Sequence, residues 1–181
     1  IAASAIDSGT IATARLGSGT ASSSTFLRGD QTYATPAGGT NTPAFLAYRS
    51  SSNLGIPNDV YTKFIFNAEK YDTASAYDTS SGLFTVPSGQ AGKYALGGML
   101  FMGGASAPRF ILRMRLNNAT TLIFMDGEKT APCTAFATTV RALSVGDTVQ
   151  IDAIQNSGAQ QDYDYSNTAE VNYFFGYKII E

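Results

Sequence analysis

The sequence contains no histidine and no tryptophan, and cysteine occurs once, as Cys133, among 181 residues. Without histidine the chain cannot form a Ser-His-Asp or Cys-His catalytic group within itself, and it lacks the commonest protein ligand of zinc and iron. A single cysteine also excludes an intrachain disulfide. Because the neighbours of Cys133 in the segment APCTAFATTV are small and apolar, we expect its thiol to be buried rather than reactive.

Charge is also scarce. Only 14% of the residues are charged, and 12 Lys and Arg against 14 Asp and Glu leave a formal net charge of −2. This near balance argues against a nucleic-acid groove or a basic membrane patch, and no apolar run reaches the ~20 residues that cross a bilayer. We therefore expect no nucleic-acid partner and no membrane insertion. The first residues, IAASAIDSGT, lack the basic region of a signal peptide and begin with Ile, so we interpret the chain as a piece of a longer protein.

Residues 1–43 differ in composition from the rest of the chain, with few charged and few large apolar side chains. Four apolar residues recur every five positions: Ile1, Ile6, Ile11 and Leu16. That spacing fits neither a helix nor a strand with one buried face, and so polar a segment cannot bury a core by itself. Two interpretations stay open: a disordered linker, or an extended trimeric stalk or neck whose apolar residues meet those of other chains around an axis.

From residue 44 onwards, short apolar segments alternate with turn residues. The segment RFILRMRLN is the clearest strand, because Phe110, Leu112 and Met114 alternate with Arg113 and Arg115 at the period of two that a strand with one buried face requires. The segments GKYALGGMLFM, TTLIFM, CTAFATTVRAL and DTVQIDAI are further strands, and none shows a long helical stripe. We predict an all-β sandwich or jelly roll for residues 44–181.

The last predicted strand, VNYFFGYKII, is apolar on both faces. Tyr173, Phe175 and Tyr177 alternate onto one face, and Phe174 lies on the other. An antiparallel strand in a single sandwich usually has one face in water, whereas apolar residues on both faces suit a strand that is covered on both sides. We therefore expect Tyr173 and Phe175 to contact another subunit.

These segments resemble the globular head family of complement C1q and tumour necrosis factor. The spacing of that family's signature is matched by Phe66, Asp72, Tyr77, Phe84, Gly92 and Tyr94, with two extra residues before Gly92 and Leu96 in place of a further Phe. The segments AFLAYRS, LSVGDTVQI and FFGYKII resemble the family's first, late and closing strands. The resemblance covers residues 44–181, and it implies a ten-strand jelly roll that trimerises about a threefold axis.

The segment LGSGTASSSTFLRGDQTYATP resembles the short sequence that precedes tip domains in bacteriophage tail fibres. It contains Arg28-Gly29-Asp30, the tripeptide that animal adhesion receptors read. We interpret the tripeptide as a structural turn in which Gly29 can take a positive φ and Asp30 caps its own turn. Together the two resemblances imply a homotrimeric, non-enzymatic receptor-binding tip at the distal end of a phage tail fibre, joined to the upstream fibre. A purely structural trimerisation tip and a glycan-cleaving fibre enzyme are the alternatives.

Strand parity places three loops, 103–108, 126–132 and 155–169, at the apex of such a head, and the turns NNAT and SVGD at its base. The longest apical loop is rich in aromatic and polar side chains that suit a host cell-surface glycan. The predicted ligand-binding residues are Tyr163, Tyr165, Asp162, Asp164, Gln160, Gln161, Asp126, Glu128 and Lys129.

Two carboxylate pairs invite comparison with a glycosidase: Asp126 with Glu128, and Asp162 with Asp164. Glycoside hydrolysis requires two carboxylates at a set separation across a cleft, which residues two apart in a loop do not ensure. We interpret both pairs as solvated loop charge and predict no catalytic residue. Clustered oxygens could alternatively hold calcium, and we expect no other cofactor.

Overall fold

The computed structural model describes residues 11–36, 42–50, 54–163 and 171–179. The chain divides into two compact units, Ile1–Thr40 and Asn41–Glu181, so the division lies three residues before the boundary predicted from composition. We call the second unit the head. In the described ranges, no helix is long and apolar enough to cross a membrane.

The described part of the first unit contains one turn of 3-10 helix, Thr13–Arg15, and a hairpin of strands β1 (Phe26–Leu27) and β2 (Tyr33–Ala34). In the hairpin turn, Asp30 Oδ1 accepts hydrogen bonds from the Thr32 amide (3.1 Å) and hydroxyl (2.7 Å), which lower the pKa of the carboxyl. The predicted capping by Asp30 is confirmed. The positive φ, however, belongs to Gln31 (60°) rather than to Gly29, because the chain reverses into β2 at Gln31.

The described residues of the head contain thirteen strands, and every pairing between them is antiparallel. The strands are β3 (Ala44–Tyr48), β4 (Leu54–Ile56), β5 (Thr62–Lys63), β6 (Ala68–Asp72), β7 (Tyr77–Asp78), β8 (Leu83–Thr85), β9 (Gly92–Met102), β10 (Phe110–Leu116), β11 (Thr120–Asp126), β12 (Cys133–Leu143), β13 (Thr148–Gln155), β14 (Gln161–Tyr163) and β15 (Tyr173–Lys178). The all-β prediction is confirmed. The count exceeds ten because several segments pair over only two or three residues.

Two sheets form the sandwich. The five-stranded sheet has the order β12-β9-β15-β3-β6, and the six-stranded sheet has the order β11-β10-β13-β8-β7 with β5 also paired to β13. Strands β14 and β4 form a separate small ribbon. Strands that are neighbours in a sheet are mostly not consecutive in sequence, because the chain crosses repeatedly from one sheet to the other, as it does in a jelly roll.

An aromatic cluster fills the space between the sheets, and it explains the spacing of the family signature. The Phe45 ring lies 4.8 Å from that of Phe84 and 5.4 Å from that of Tyr77, centroid to centroid. The Tyr77 hydroxyl donates to the Phe66 carbonyl (3.2 Å), and burial raises its pKa. The Tyr77 amide donates to Asp72 Oδ2 (2.7 Å). The signature residues therefore build one buried cluster and the turn that leads into it.

The two ends of the sandwich differ. The pairings of Met102 with Cys133 and of Phe110 with Gln155 bring loops 103–109, 127–132 and 156–160 to one end, which we call the loop end. At the opposite end, the Asn117 amide donates to the Thr148 carbonyl (2.8 Å), and β3 begins there. We call this the entry end. The loop placement predicted from strand parity is confirmed for the described residues, while positions 164–169 of the predicted loop 155–169 lie outside them.

Candidate functional site

The loop end is held together by hydrogen bonds between different loops. The Ala107 amide donates to the Lys129 carbonyl (3.0 Å), and the Ala131 amide donates to Ser106 Oγ (3.0 Å). On the other side, the Gly158 amide donates to Asn58 Oδ1 (2.7 Å). These bonds connect neighbouring loops, so the loop end is an ordered surface rather than a set of independent loops.

Three of the predicted ligand-binding residues lie at this end and are exposed: Asp126, Glu128 and Lys129. The Lys129 ammonium lies 2.9 Å from Asp126 Oδ2, while the Glu128 amide donates to the Thr134 carbonyl (2.7 Å). An exposed ion pair of this kind contributes only about 0–1 kcal/mol to stability. The Asp126 and Lys129 side chains are therefore accessible from solvent and only weakly held by each other.

The second predicted group lies in or beside a short strand instead of a free loop. Gln160 and Asp162 are exposed and Gln161 is half-buried, because β14 pairs with β4 through Asp162 and Gly55. Asp164 and Tyr165 lie outside the described residues. Gln160, Gln161 and Asp162 are therefore available at the surface, and two of them belong to a strand where the sequence predicted a loop.

The structure corrects the expectation that Tyr163 presents its ring to a ligand. Tyr163 has no exposed surface, and its ring stacks on Phe110 (5.5 Å, 17°) and meets Phe64 edge-on (5.4 Å). Residues alternate between two faces along a strand, and pairing with β4 turns Tyr163 into the core. Burial raises the pKa of its hydroxyl, which has no hydrogen-bond partner among the described residues.

The described residues do not form the calcium site that the sequence allowed. Within those residues, no group of three or more His, Cys, Asp or Glu side chains is placed to hold a metal ion. Asp164, which formed part of the sequence argument for calcium, lies outside that part.

The outer face of the five-stranded sheet is apolar, and we call it the apolar face. Three rows cross β12, β9, β15 and β3: Phe136–Met99–Tyr173–Tyr48, Thr138–Gly97–Phe175–Leu46 and Val140–Ala95–Tyr177–Ala44. Phe136 is 48% exposed, Val140 51% and Tyr177 40%. Tyr173 and Phe175 are half-buried with ring centroids 6.3 Å apart. The two residues predicted to contact another subunit thus lie at the centre of this face.

The outer face of the six-stranded sheet is different, and sequence analysis assigned it no role. Register places Phe124, Arg113, Asp152 and Lys63 in one row across β11, β10, β13 and β5. Arg113 Nη2 lies 2.7 Å from Asp152 Oδ2, and the Arg113 guanidinium carbon lies 3.6 Å from the centroid of the Tyr61 ring. The signal was visible as three arginines in RFILRMRLN, which we interpreted only as the polar side of a strand.

No family model matches the chain, and no curated protein matches it. Solved structures do. The globular domain of zebrafish complement 1qA protein is 19% identical with a TM-score of 0.56, and the match covers 77% of this chain and 99% of that one. The Eiger TNF of S. frugiperda is 11% identical, with a TM-score of 0.57 over 76% of this chain and 92% of its own.

The head has a C1q/TNF-like jelly-roll fold. The PRD1 vertex protein P5 shares it, at 15% identity and a TM-score of 0.58, over 78% of this chain and 100% of its own. The resemblance inferred from Phe66, Asp72, Tyr77, Phe84 and the later segments is therefore confirmed at the level of the fold.

Proposed function

We propose that this chain is the trimeric receptor-binding tip of a bacteriophage tail fibre, located at the distal end of the fibre on the virion. Its head attaches the virion to a host cell-surface glycan or other surface receptor. The observation that carries the proposal is the apolar face, where rows of aromatic and aliphatic side chains surround Tyr173 and Phe175 on the outside of the sandwich.

The apolar face of a single head is expected to bind a partner, because contiguous exposed apolar patches of this kind mark interfaces. A second and a third copy of the chain, related by a threefold axis, would bury the same face in each head. A hollow of about 460 Å³ among Thr138, Val140, Phe175 and Tyr177 offers room for side chains of a neighbouring copy. Desolvation at this face already raises the pKa of Tyr173 in a single chain.

The chain path supports a place at the tip of a fibre. Strand β3 begins at the entry end, so the chain enters the sandwich at the end opposite the loop end. The neck sequence that resembles the segment before fibre tip domains supports a phage origin, as does the likeness to a vertex protein of the phage PRD1. Exposed apolar residues in the first unit, Phe26 (62%) and Leu27 (45%), suit a neck that other chains cover.

We assign the head no catalytic role. The Asp126 carboxylate is exposed and paired with Lys129, which leaves it an ordinary surface acid rather than one member of a pair set across a cleft. A purely structural tip remains the alternative that the apolar face also favours, because that face would drive assembly whether or not the loop end binds a ligand.

The experiment uses the purified chain and cells of the phage's host. Pre-incubating cells with the trimer should reduce phage adsorption in proportion to protein concentration, while a heat-unfolded sample should have no effect. A parallel incubation with host envelope polysaccharide distinguishes the alternatives. Retention of full-length polysaccharide supports binding, shortened chains indicate an enzyme, and neither retention nor competition indicates a structural tip.

A further inference from the structure

We propose that the outer face of the six-stranded sheet binds an acidic saccharide, so that the host receptor in the proposed function would be a glycan that carries carboxylate or phosphate groups. Arg109 and Arg113 would meet the anionic groups. The rings of Tyr61 and Phe124 would meet the apolar faces of the sugar rings. This inference rests on the proposed function for the source of the ligand. The evidence for the site itself is the arrangement of these four side chains.

Aromatic and cationic side chains lie next to one another on this face. Phe124 pairs with Arg113 across neighbouring strands, so both side chains project from the same side of the sheet, and Phe124 is 52% exposed. The Tyr61 ring lies next to two guanidinium groups, with its centroid 3.6 Å from the Arg113 carbon and 5.7 Å from that of Arg109. Flat rings with charged groups at their margins suit a saccharide, whose rings have apolar faces and polar edges.

The charge on this face favours an anion. Four cations, Arg109, Arg113, Arg115 and Lys63, accompany three carboxylates, Asp59, Asp78 and Asp152, which leaves one positive charge uncompensated. Asp126 at the margin is neutralised by Lys129. A locally positive surface is notable on a chain whose net charge is −2. Arginine is the side chain best suited to a planar carboxylate or a phosphate, because its donors form a rigid fork.

The arginines are held in place before any ligand arrives. Asp152 is 5% exposed, and it accepts from Arg113 (2.7 Å), lies 3.7 Å from Arg115, and accepts from Gln150 Nε2 (2.6 Å). Arg109, which is 40% exposed, is held more loosely by Asp59 at 3.2 Å. Side chains that are already ordered lose little conformational entropy on binding, so Arg113 is preorganised and Arg109 remains accessible.

This face stays open in the proposed trimer. It is the outer surface of the six-stranded sheet, whereas the apolar face is the outer surface of the five-stranded sheet on the other side of the sandwich. A trimer would therefore carry three copies of this face, each pointing outward from the threefold axis toward polysaccharide chains around the head. Weak individual sites then combine by avidity, which suits attachment to a repetitive polysaccharide.

The test compares the intact wild-type trimer with the double variant Arg109→Gln/Phe124→Ser, which changes two accessible side chains and leaves the Asp152 network intact. The matched control is Arg28→Gln/Val145→Ser, which removes one exposed arginine and one exposed apolar side chain elsewhere. Immobilised tetragalacturonate and a phosphomannan oligosaccharide are the acidic probes, and maltotetraose is the neutral one. Equal melting temperatures and masses establish that all three proteins are comparable.

We expect the wild type and the control to bind at least one acidic probe, with binding that weakens as salt is added, and to bind maltotetraose at least tenfold less. The double variant should bind the acidic probe at least tenfold more weakly. Retention of tetragalacturonate alone identifies carboxylate as the preferred group, and retention of phosphomannan alone identifies phosphate. Equal binding by the double variant, equal binding of maltotetraose, or no binding by the wild type overturns the proposal.

Host-cell adsorption separates this inference from the proposed function. If the wild type blocks phage adsorption and the double variant blocks it equally well, the acidic-saccharide site is wrong and the receptor-binding function stands. If the wild type does not block adsorption but binds the acidic probe through Arg109 and Phe124, the site stands and the proposed function is wrong.

Discussion

The ring of Phe175 lies directly over Gly97 on the apolar face. A Cβ added at Gly97 would come within 2.5 Å of the ring's Cζ and 2.6 Å of its Cε1, closer than a real side chain tolerates. Because Gly97 of β9 has no side chain, the Phe175 ring of β15 can pack against the sheet at this position. The position of Phe175 on the proposed interface depends on this glycine.

Gly97→Ala should weaken the trimer while leaving the head folded. The added methyl group displaces the far end of the Phe175 side chain, which can move outward without disturbing the backbone. Sedimentation velocity over a range of concentrations should show an increased monomer fraction with a native circular dichroism spectrum. The control is Gly98→Ala, whose Cβ would lie 2.9 Å from the Tyr173 carbonyl oxygen and should destabilise the fold by roughly 1–3 kcal/mol. An unchanged assembly in Gly97→Ala would contradict the role of Phe175.

Replacing Tyr173 or Phe175 with Asp should prevent assembly altogether. Light scattering of the wild type should give three times the chain mass of 19.1 kDa, whereas each variant should give the mass of one chain. The reason is that an unpaired charge buried in an interface costs free energy in every subunit. Val145→Asp, at a residue 51% exposed in an entry-end turn, is the matched control and should remain trimeric. A wild type that is monomeric at micromolar concentration would rule out the trimer.

Tyr163→Phe should leave the free energy of unfolding within about 1 kcal/mol of the wild type, and an increase is the favoured direction. The variant keeps the stacked ring and removes a buried hydroxyl that has no partner among the described residues. Tyr163→Ala, by contrast, should cost about 3–5 kcal/mol because it empties a buried aromatic site. Urea unfolding measures both. A large loss in Tyr163→Phe would show that the hydroxyl has a partner.

Asp147→Asn should reduce stability at neutral pH and flatten its dependence on acid. Asp147 Oδ1 accepts from Asn117 Nδ2 (2.8 Å) and Oδ2 accepts from the Ser144 amide (2.8 Å), and these bonds lower the pKa of the carboxyl below 3.8. A depressed pKa contributes stability that is present above pH 3.8 and is lost as pH falls through the folded-state value.

Urea unfolding at pH 7 and pH 2.5 checks the Asp147 prediction. We expect a loss of roughly 0.5–1 kcal/mol at pH 7, because an amide nitrogen replaces one acceptor, and a smaller difference from wild type at pH 2.5. An equal difference at both pH values would show that Asp147 contributes through packing rather than through its charge.

Asp30→Glu should leave host attachment and head folding unchanged. The substitution keeps the charge but ends the match to the tripeptide read by animal adhesion receptors. Asp30 Oδ1 accepts hydrogen bonds from the Thr32 amide and hydroxyl and so stabilises the hairpin turn within the first unit. Phage-adsorption competition and light scattering are the measurements. Loss of competition by an intact trimer would favour an adhesion role.

Several features of this protein follow from the sequence alone. The alternation of Phe110, Leu112 and Met114, together with turn residues between apolar segments, determines a sandwich, because a strand exposes successive side chains to opposite faces. The signature residues Phe66 and Tyr77 indicate the fold because the aromatic cluster needs large rings at fixed points along the strands. Strand parity then places the loops, since antiparallel strands must alternate in direction.

Only the tertiary structure decided which residues share a surface. Tyr163 looked like an exposed loop aromatic, yet pairing of β14 with β4 buries it, and that pairing joins segments about 100 residues apart. Arg113 looked like ordinary surface charge until the fold brought Asp152 and Tyr61 beside it from distant strands. Local periodicity sets which way a side chain points relative to its own strand, but its neighbours come from strand order and register, which depend on long-range contacts.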